Sequence, residues 1–163
     1  MINELINIMK EQLLCYDFLL GLSKEKTEVI INNNVTELKR VTDLENECII
    51  KNVALERRRL EVLEEVACLS GLGTGEMTIS SILNKIKGGP GHGELLSVSL
   101  KMRESIERLK EANDRNRVLI GNSLEYIDYS MNVIRTSIEG EPAGFDPENN
   151  SYISNRSFFD AKQ

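Results

Sequence analysis

The sequence predicts an all-α fold, an elongated antiparallel bundle of three long helices. Apolar residues recur at steps of three and four over long stretches. Aromatic residues make up only 5% of the chain and tryptophan is absent, which favours a thin bundle over a thick core. Seven of the 11 glycines fall in one connector. We predict long helices at about 3–32, 35–69 and 94–138, a short connector helix at about 78–87, and a flexible C-terminal tail.

The first boundary is predicted at three consecutive asparagines, Asn32 to Asn34. Asparagine and β-branched residues are mediocre helix formers, so helical propensity drops here. Asn34 followed by Glu37 has the spacing of a capping box. We therefore predict a turn, and the alternative is one continuous helix running to residue 69.

Helix two carries two carboxylates, Glu45 and Glu56, within its apolar stripe. They are expected either to bond across to a neighbouring helix or to reach water from the edge of the stripe. The spacing assigns the following residues to the inner side: Leu38, Val41, Cys48, Ile49, Val53, Leu60, Leu63, Val66 and Ala67.

The glycine-rich connector offers no catalytic or cofactor site. Thr78 is expected to cap the short helix. The stretch 88–93, GGPGHG, lacks the Lys-Ser/Thr of a phosphate-binding loop, and no strand is predicted before it. His92, the single histidine, reads as an inert loop residue without a nucleophile or base to accompany it. We expect no enzyme and no cofactor.

The third long helix, predicted at about 94–138, has two asparagines on its apolar stripe, Asn113 and Asn116. In a coiled-coil seam a buried asparagine fixes register and partner choice, whereas at the edge of the seam it is solvated. Both alternatives are open from spacing. Gly140 and Pro142 end the helix. Its stripe comprises Met102, Ile106, Leu109, Asn113, Asn116, Ile120, Ser123, Ile127 and Ile134, widened by Leu119, Leu124, Met131 and Ile138.

The charge balance and the cysteine spacing indicate which classes of partner and which cellular compartment to expect. The chain has 20 basic and 26 acidic residues without a basic tract, so nucleic acid is a poor partner. No uncharged apolar run approaches the roughly 18 residues that span a bilayer, and we expect no stable membrane insertion. Cys15, Cys48 and Cys68 show no metal-ligand spacing and read as packing residues in a reducing compartment. We expect a cytoplasmic protein.

Two regions are predicted, a helical domain at 1–139 and a tail at 140–163. The tail is rich in Gly, Pro, Asn and Ser and has no helical period. It nevertheless contains half of the phenylalanines and tyrosines of the chain. Docking on its own bundle and docking on a partner are both open for these four aromatics: Phe145, Tyr152, Phe158 and Phe159.

A family resemblance rests on helices two and three. The stretch Asn113-x-x-Asn116-x-x-Leu119-Ile120, followed by Ser123-Leu124-x-Tyr126-Ile127, resembles the signature of the flagellar type III export chaperone family FlgN. The pattern Leu38, Glu45, Ile49, Ile50 and Leu55-Glu56-x-Arg58 is similar to the family's second helix, as is the short piece that begins at Thr78. The resemblance covers about residues 3–147.

The resemblance implies a cytoplasmic chaperone that works without ATP. Members of the family bind the C-terminal helical segments of the hook-filament junction proteins FlgK and FlgL. They bring these proteins to the export gate protein FlhA. An aromatic after the third helix is implied for the gate contact, and Phe145 or Tyr152 occupies that place, although FDPEN stands where the family has a Gly turn. The implied client-binding residues are Asn113, Asn116, Leu119, Ile120, Leu124, Ile127 and Met131.

Two rival functions stay open. A homodimeric coiled-coil adaptor without a secreted client would use the same apolar stripe for self-association. A chaperone for the filament cap protein would belong to the same export system but bind another client.

Overall fold

The computed structural model describes residues 1–69 and 78–138 of the chain. Within these residues the chain forms α-helices and no strand, and the predicted all-α fold is confirmed. Every predicted helix boundary lies within two residues of the observed one. The helices are α1 (Ile2–Ile31), α2 (Val35–Leu69), α3 (Ile79–Lys85) and α4 (His92–Ile138).

A tight turn separates α1 from α2. Asn33 adopts a positive φ of 51°, and its N–H donates to the carbonyl of Ile30 at 3.0 Å. The N–H of Asn34 donates to the carbonyl of Val29 at 3.1 Å, which completes a Schellman motif. The Asn34 Oδ1 then accepts a hydrogen bond from the N–H of Glu37 at 3.2 Å. The predicted turn is therefore confirmed. Asn34 bonds the end of α1 through its N–H and the start of α2 through its side chain.

The chain divides into two compact units, Met1–Leu124 and Glu125–Gln163. The described part of the second unit is 125–138, the last turns of α4. The predicted boundary at 139/140 and the predicted tail at 140–163 lie outside the described residues. None of the described helices is both long and apolar enough to cross a membrane.

The main apolar core of the first unit lies where the start of α1 meets the end of α2, α3 and the start of α4. We call it the base cluster. Thr78 caps α3 as predicted, with its Oγ1 accepting from the N–H of Ser81 at 3.1 Å, and so fixes how α3 enters the cluster. Burying each large aliphatic side chain here stabilises the fold by roughly 1.5–3 kcal/mol. The buried members are Leu5, Ile6, Ile8, Met9, Val62, Leu63, Val66, Ile82, Leu95 and Val98.

The turn between α3 and α4 depends on Gly91. Its φ is +84°, and a Cβ at this position would lie 2.9 Å from the Cγ2 of Ile2 on α1. Only glycine combines that backbone conformation with that close approach. His92 follows as the first residue of α4 and is half-buried. The expectation of a loop histidine was wrong because α4 begins two residues earlier than predicted.

The inner face of α2 differs from the predicted one. Ile49, Val53 and Leu60 are exposed, whereas Val62, which the prediction omitted, is completely buried. The reason is that α2 packs through residues repeating every seven positions, beginning with Val41. On a 3.6-residue helix Ile49 lies about 100° from that line, and Val53 and Leu60 lie about 150° from it.

The two carboxylates of α2 do bond across to α1. Glu45 forms a largely buried salt bridge with Lys26. The Nε2 of Gln12 donates to the Oε2 of Glu56 at 2.9 Å, and Arg59 also bonds that carboxylate. The bond from Arg59, assisted by Gln12 and opposed by burial, holds the pKa of Glu56 below its usual value. Of the two alternatives for these residues, the structure shows the cross-helix one, and the expectation that they only reach water was wrong.

The cysteines differ in their surroundings. Cys15 and Cys48 are buried together with Leu19 in a small apolar cluster between α1 and α2, as predicted. The Sγ of Cys48 donates to the carbonyl of Cys15 at 3.5 Å. Burial, reinforced by the adjacent Cys15, raises the pKa of the Cys48 thiol to about 11. Cys68 is exposed near the end of α2, so its prediction as a packing residue was wrong.

Candidate partner-binding surface on helix α4

Polar contacts define the register between α1 and α4. The Nζ of Lys10 bonds the carboxylate of Glu94 at the start of α4. Further along, the Oγ of Ser105 donates to Asp17 at 2.7 Å. Residue numbers rise together in both helices, so α4 runs parallel to α1 in the first unit. Contacts between α1 and α2 run in the opposite sense, and each long helix therefore reverses the direction of the long helix before it.

A buried hydrogen-bond group, which we call the polar lock, joins α1 to α4. Asn116 is only 3% exposed. Its Nδ2 donates to the carbonyl of Ser23 at 2.7 Å and to the Ser23 Oγ at 3.1 Å, while its Oδ1 accepts from the Thr27 Oγ1 at 2.6 Å. The Ser23 Oγ donates to the Oδ1 of Asn113 at 3.0 Å. A buried amide satisfied in this way fixes one register between the helices.

Because of the polar lock, some of the predicted client-binding residues face α1 and are not open to a partner. Asn116 faces α1, where its amide is bonded, so it is not part of a surface open to a partner. Asn113 is exposed but bonded to Ser23, and Leu119 is half-buried. The sequence stripe had merged the buried seam of α4 with its neighbouring exposed face. Ser23 and Thr27 were missed, although both are polar residues on the face of α1 that contains Leu20.

The other four predicted residues are exposed, and we call them the open stripe. In the first unit these are Ile120 and Leu124, and in the second they are Ile127 and Met131. Each is between 38 and 57% exposed. Ile120 and Leu124 are four residues apart in the first unit, and Ile127, Met131 and Ile134 follow at steps of four and three in the second, so each unit has an exposed aliphatic row with helical spacing. Exposed aliphatic residues in such a row are typical of a protein interaction site.

The open stripe begins where α1 ends. The last hydrogen bond between α1 and α4 joins Thr27 to Asn116. The same offset places Ile31, the final residue of α1, level with Ile120. Beyond this level α1 supplies no residue to pack on α4. In the first unit, Leu124 therefore lies past the level at which α1 ends.

A groove of about 610 Å³ lies beside α4 in the first unit. Ile106 forms part of its wall, and Asn113 and Ile120 follow at intervals of seven residues. Its wall includes charged groups from α2 and α4, and the described residues contain no group of three His, Cys, Asp or Glu side chains placed to hold a metal ion. Such a groove is suited to the side of a helix. Its lining residues are Met9, Tyr16, Glu56, Arg59, Ile79, Ser99, Met102, Arg103, Ile106 and Glu107.

The predicted export-gate residues, Phe145 and Tyr152, lie outside the described residues. Their role stays a prediction.

Comparison with known proteins identifies the family. Searches among curated proteins and solved structures gave no significant match. The family model described as FlgN protein matches residues 1–148, which is most of the 163-residue chain. The four-helix order and the predicted signature on α4 both fall within the matched range. This chain therefore belongs to the FlgN family of flagellar export chaperones.

Proposed function

We propose that this chain is a cytoplasmic, non-catalytic chaperone for the hook-filament junction proteins FlgK and FlgL. It binds their C-terminal helical segments and delivers them to the export gate protein FlhA. Family membership supports the chaperone role, and the open stripe is the single structural observation that supports a helical client.

The open stripe suits an amphipathic helix for a physical reason. Helix-in-groove recognition uses apolar anchors spaced three and four residues apart, and Ile120, Leu124 and Ile127 have that spacing. Burying roughly 800 Å² on each partner is enough for a specific complex. The polar lock holds the first-unit part of α4 in register on α1, so Ile120 and Leu124 are presented on a helix whose rotation is fixed. A preorganised face loses less entropy on binding.

Calorimetric titration with the C-terminal segments of FlgK and FlgL tests the proposal. We expect micromolar or tighter binding to the wild type. Leu124→Asp and Ile127→Asp should each weaken it by about 100-fold or more, because a buried unpaired carboxylate costs several kcal/mol. Val118→Asp is the matched control, since Val118 is exposed on the opposite side of α4 and its variant should bind normally.

Different outcomes separate the rival functions. Normal binding by folded Leu124→Asp and Ile127→Asp variants would exclude the open stripe as the client surface. Absence of binding by the wild type, together with concentration-dependent self-association, would favour the homodimeric coiled-coil adaptor, whose seam has the same spacing. Preference for a segment of the filament cap protein would identify the client as that protein.

Delivery to the gate is proposed to use the aromatics that follow α4. Phe145→Ala should leave the calorimetric client affinity unchanged but reduce secretion of FlgK and FlgL from cells. The Tyr152→Ala variant tests the alternative residue in the same assay. Unchanged secretion by either variant would remove that residue from the gate contact.

A further inference from the structure

We propose that, before a client binds, the chain covers part of its own open stripe with its C-terminal segment. The anchors are Phe158 and Phe159, and their site is formed by Ile127 and Met131 of the open stripe together with the adjacent exposed Ile134. The idea that a client then displaces this segment rests on the proposed function. The occupancy of the stripe by the segment does not.

The last turns of α4 need a cover. Ile127, Met131 and Ile134 are each about half exposed, and they belong to the unit whose described part is a single helical stretch, 125–138. Most helical stability in proteins comes from packing of an apolar face, so a cover over these exposed side chains would stabilise the last turns of α4. Within 125–138 itself, no second element is described that could cover these side chains.

The segment after α4 can reach this site. Ile127 precedes the end of the helix at Ile138 by 11 residues, which is roughly 17 Å of helical rise. The 20 residues from Ile138 to Phe158 can span roughly 66 Å when extended. The segment can therefore fold back with a large excess of length. Because it is tethered, its effective concentration at the stripe is on the order of millimolar.

The composition of the segment fits an apolar site. Residues 140–163 contain four of the eight phenylalanines and tyrosines of the chain, and two of them are the adjacent pair Phe158 and Phe159. Each such side chain buries roughly 150–250 Å² when it docks. A segment otherwise rich in Asn, Ser and Gly gains little from collapsing on itself, so its aromatics are best buried on the nearest aliphatic surface.

The arrangement would couple client loading to delivery. If the segment occupies the stripe about nine-tenths of the time, a client that needs the same residues binds about tenfold more weakly. Its binding releases the segment, and Phe145 and Tyr152 lie in that segment. The aromatics proposed for the export gate would then become available after a client is bound.

Hydrogen–deuterium exchange on the full chain tests the occupancy without any client. In the Phe158→Ser/Phe159→Ser variant we expect amides of 125–138 to exchange about tenfold faster than in the wild type. Asn149→Ser/Asn150→Ser is the matched control and should resemble the wild type, because it removes no apolar surface. Peptides from the base cluster should exchange equally in all three proteins.

Two results would overturn the occupancy. One is an unchanged exchange rate at 125–138 in the Phe158→Ser/Phe159→Ser variant. The other is wild-type protection that rises with protein concentration, which would identify a second copy of the chain as the cover.

Titration of the same variants with the FlgK and FlgL segments tests the competition. We expect the Phe158→Ser/Phe159→Ser variant to bind about tenfold more tightly than the wild type, and the control to match the wild type. Equal affinities would overturn the competition. If no protein binds either segment, the proposed function fails, and the exchange experiment still decides whether the stripe is covered.

Discussion

The base cluster and the polar lock connect the same two helices, α1 and α4, by opposite means. In the base cluster Leu5, Ile6 and Leu95 are almost completely buried against one another and their apolar neighbours. In the polar lock, some 20 residues further along each helix, a buried amide is satisfied by Ser23 and Thr27. Apolar contacts stabilise without selecting a single alignment, whereas directional hydrogen bonds select one alignment with a smaller net stabilisation.

This difference assigns separate tasks to the two ends of the α1–α4 pair. The base cluster holds the helices together, and the polar lock fixes their register next to Ile120, where the open stripe begins. A slip of α4 by one residue would rotate that stripe by about 100°. The four predictions that follow test the base cluster, the polar lock and the polar group around Glu56 that lies between them.

The largest effect is expected in the base cluster. Leu95→Ala should lower the free energy of unfolding by about 3 kcal/mol, because it removes a completely buried side chain and leaves a cavity. Leu96→Ala removes the same atoms from an exposed neighbour and should change it by less than about 0.5 kcal/mol. Urea denaturation of both variants measures the difference. Equal losses would show that the helices do not depend on this cluster.

A smaller effect is expected in the polar lock. Asn116→Ala should cost about 1–3 kcal/mol, because it removes a buried amide that bonds the Thr27 hydroxyl and the Ser23 carbonyl. Asn113→Ala, at an exposed amide with a single bond, should cost less than about 1 kcal/mol.

A combined variant of the polar lock separates its effect on stability from its effect on helix register. Replacing the group together, with Asn116→Leu, Ser23→Ala and Thr27→Val, should recover most of the stability lost in Asn116→Ala, since no polar group is left unpaired. Client binding should still be weakened if register is the task of the polar lock. Full stability together with normal client affinity would contradict that assignment.

The smallest effect concerns Glu56, whose carboxylate joins Gln12 to Arg59 between the two regions. The pKa of Glu56 is lowered in the folded chain. Its contribution to the free energy of unfolding is therefore present above the ordinary glutamate pKa of about 4.3, and it is lost as the pH falls from there through the lower pKa of the folded chain. Glu56→Gln should remove this part of the acid dependence, and at neutral pH it should cost less than about 1 kcal/mol, because the carboxylate is partly exposed. Thermal melts between pH 3 and pH 7 compare the two proteins. An identical acid dependence in both would exclude Glu56 as its source.

The helices could be predicted from the sequence because their ends are set locally. Asn34 and Thr78 cap with their own side chains, and the glycines before His92 interrupt the period, so each boundary is encoded within a few residues. The faces could not be assigned as well. Whether Asn116 is bonded within the chain depends on its alignment with Ser23, which is 93 positions away. The open stripe was predicted as residues but not distinguished from the seam, because its exposure depends on where α1 stops.

The burial of two of the three cysteines has a practical consequence for labelling. In the folded chain Cys68 is the exposed thiol, whereas Cys15 and Cys48 are enclosed between α1 and α2 and the Cys48 thiol resists deprotonation. A maleimide dye near neutral pH should therefore attach once to each native molecule and three times to each unfolded molecule. The mass of the labelled protein then counts folded and unfolded chains in one sample. The natural sequence already contains a site-specific fluorophore attachment point near the end of α2.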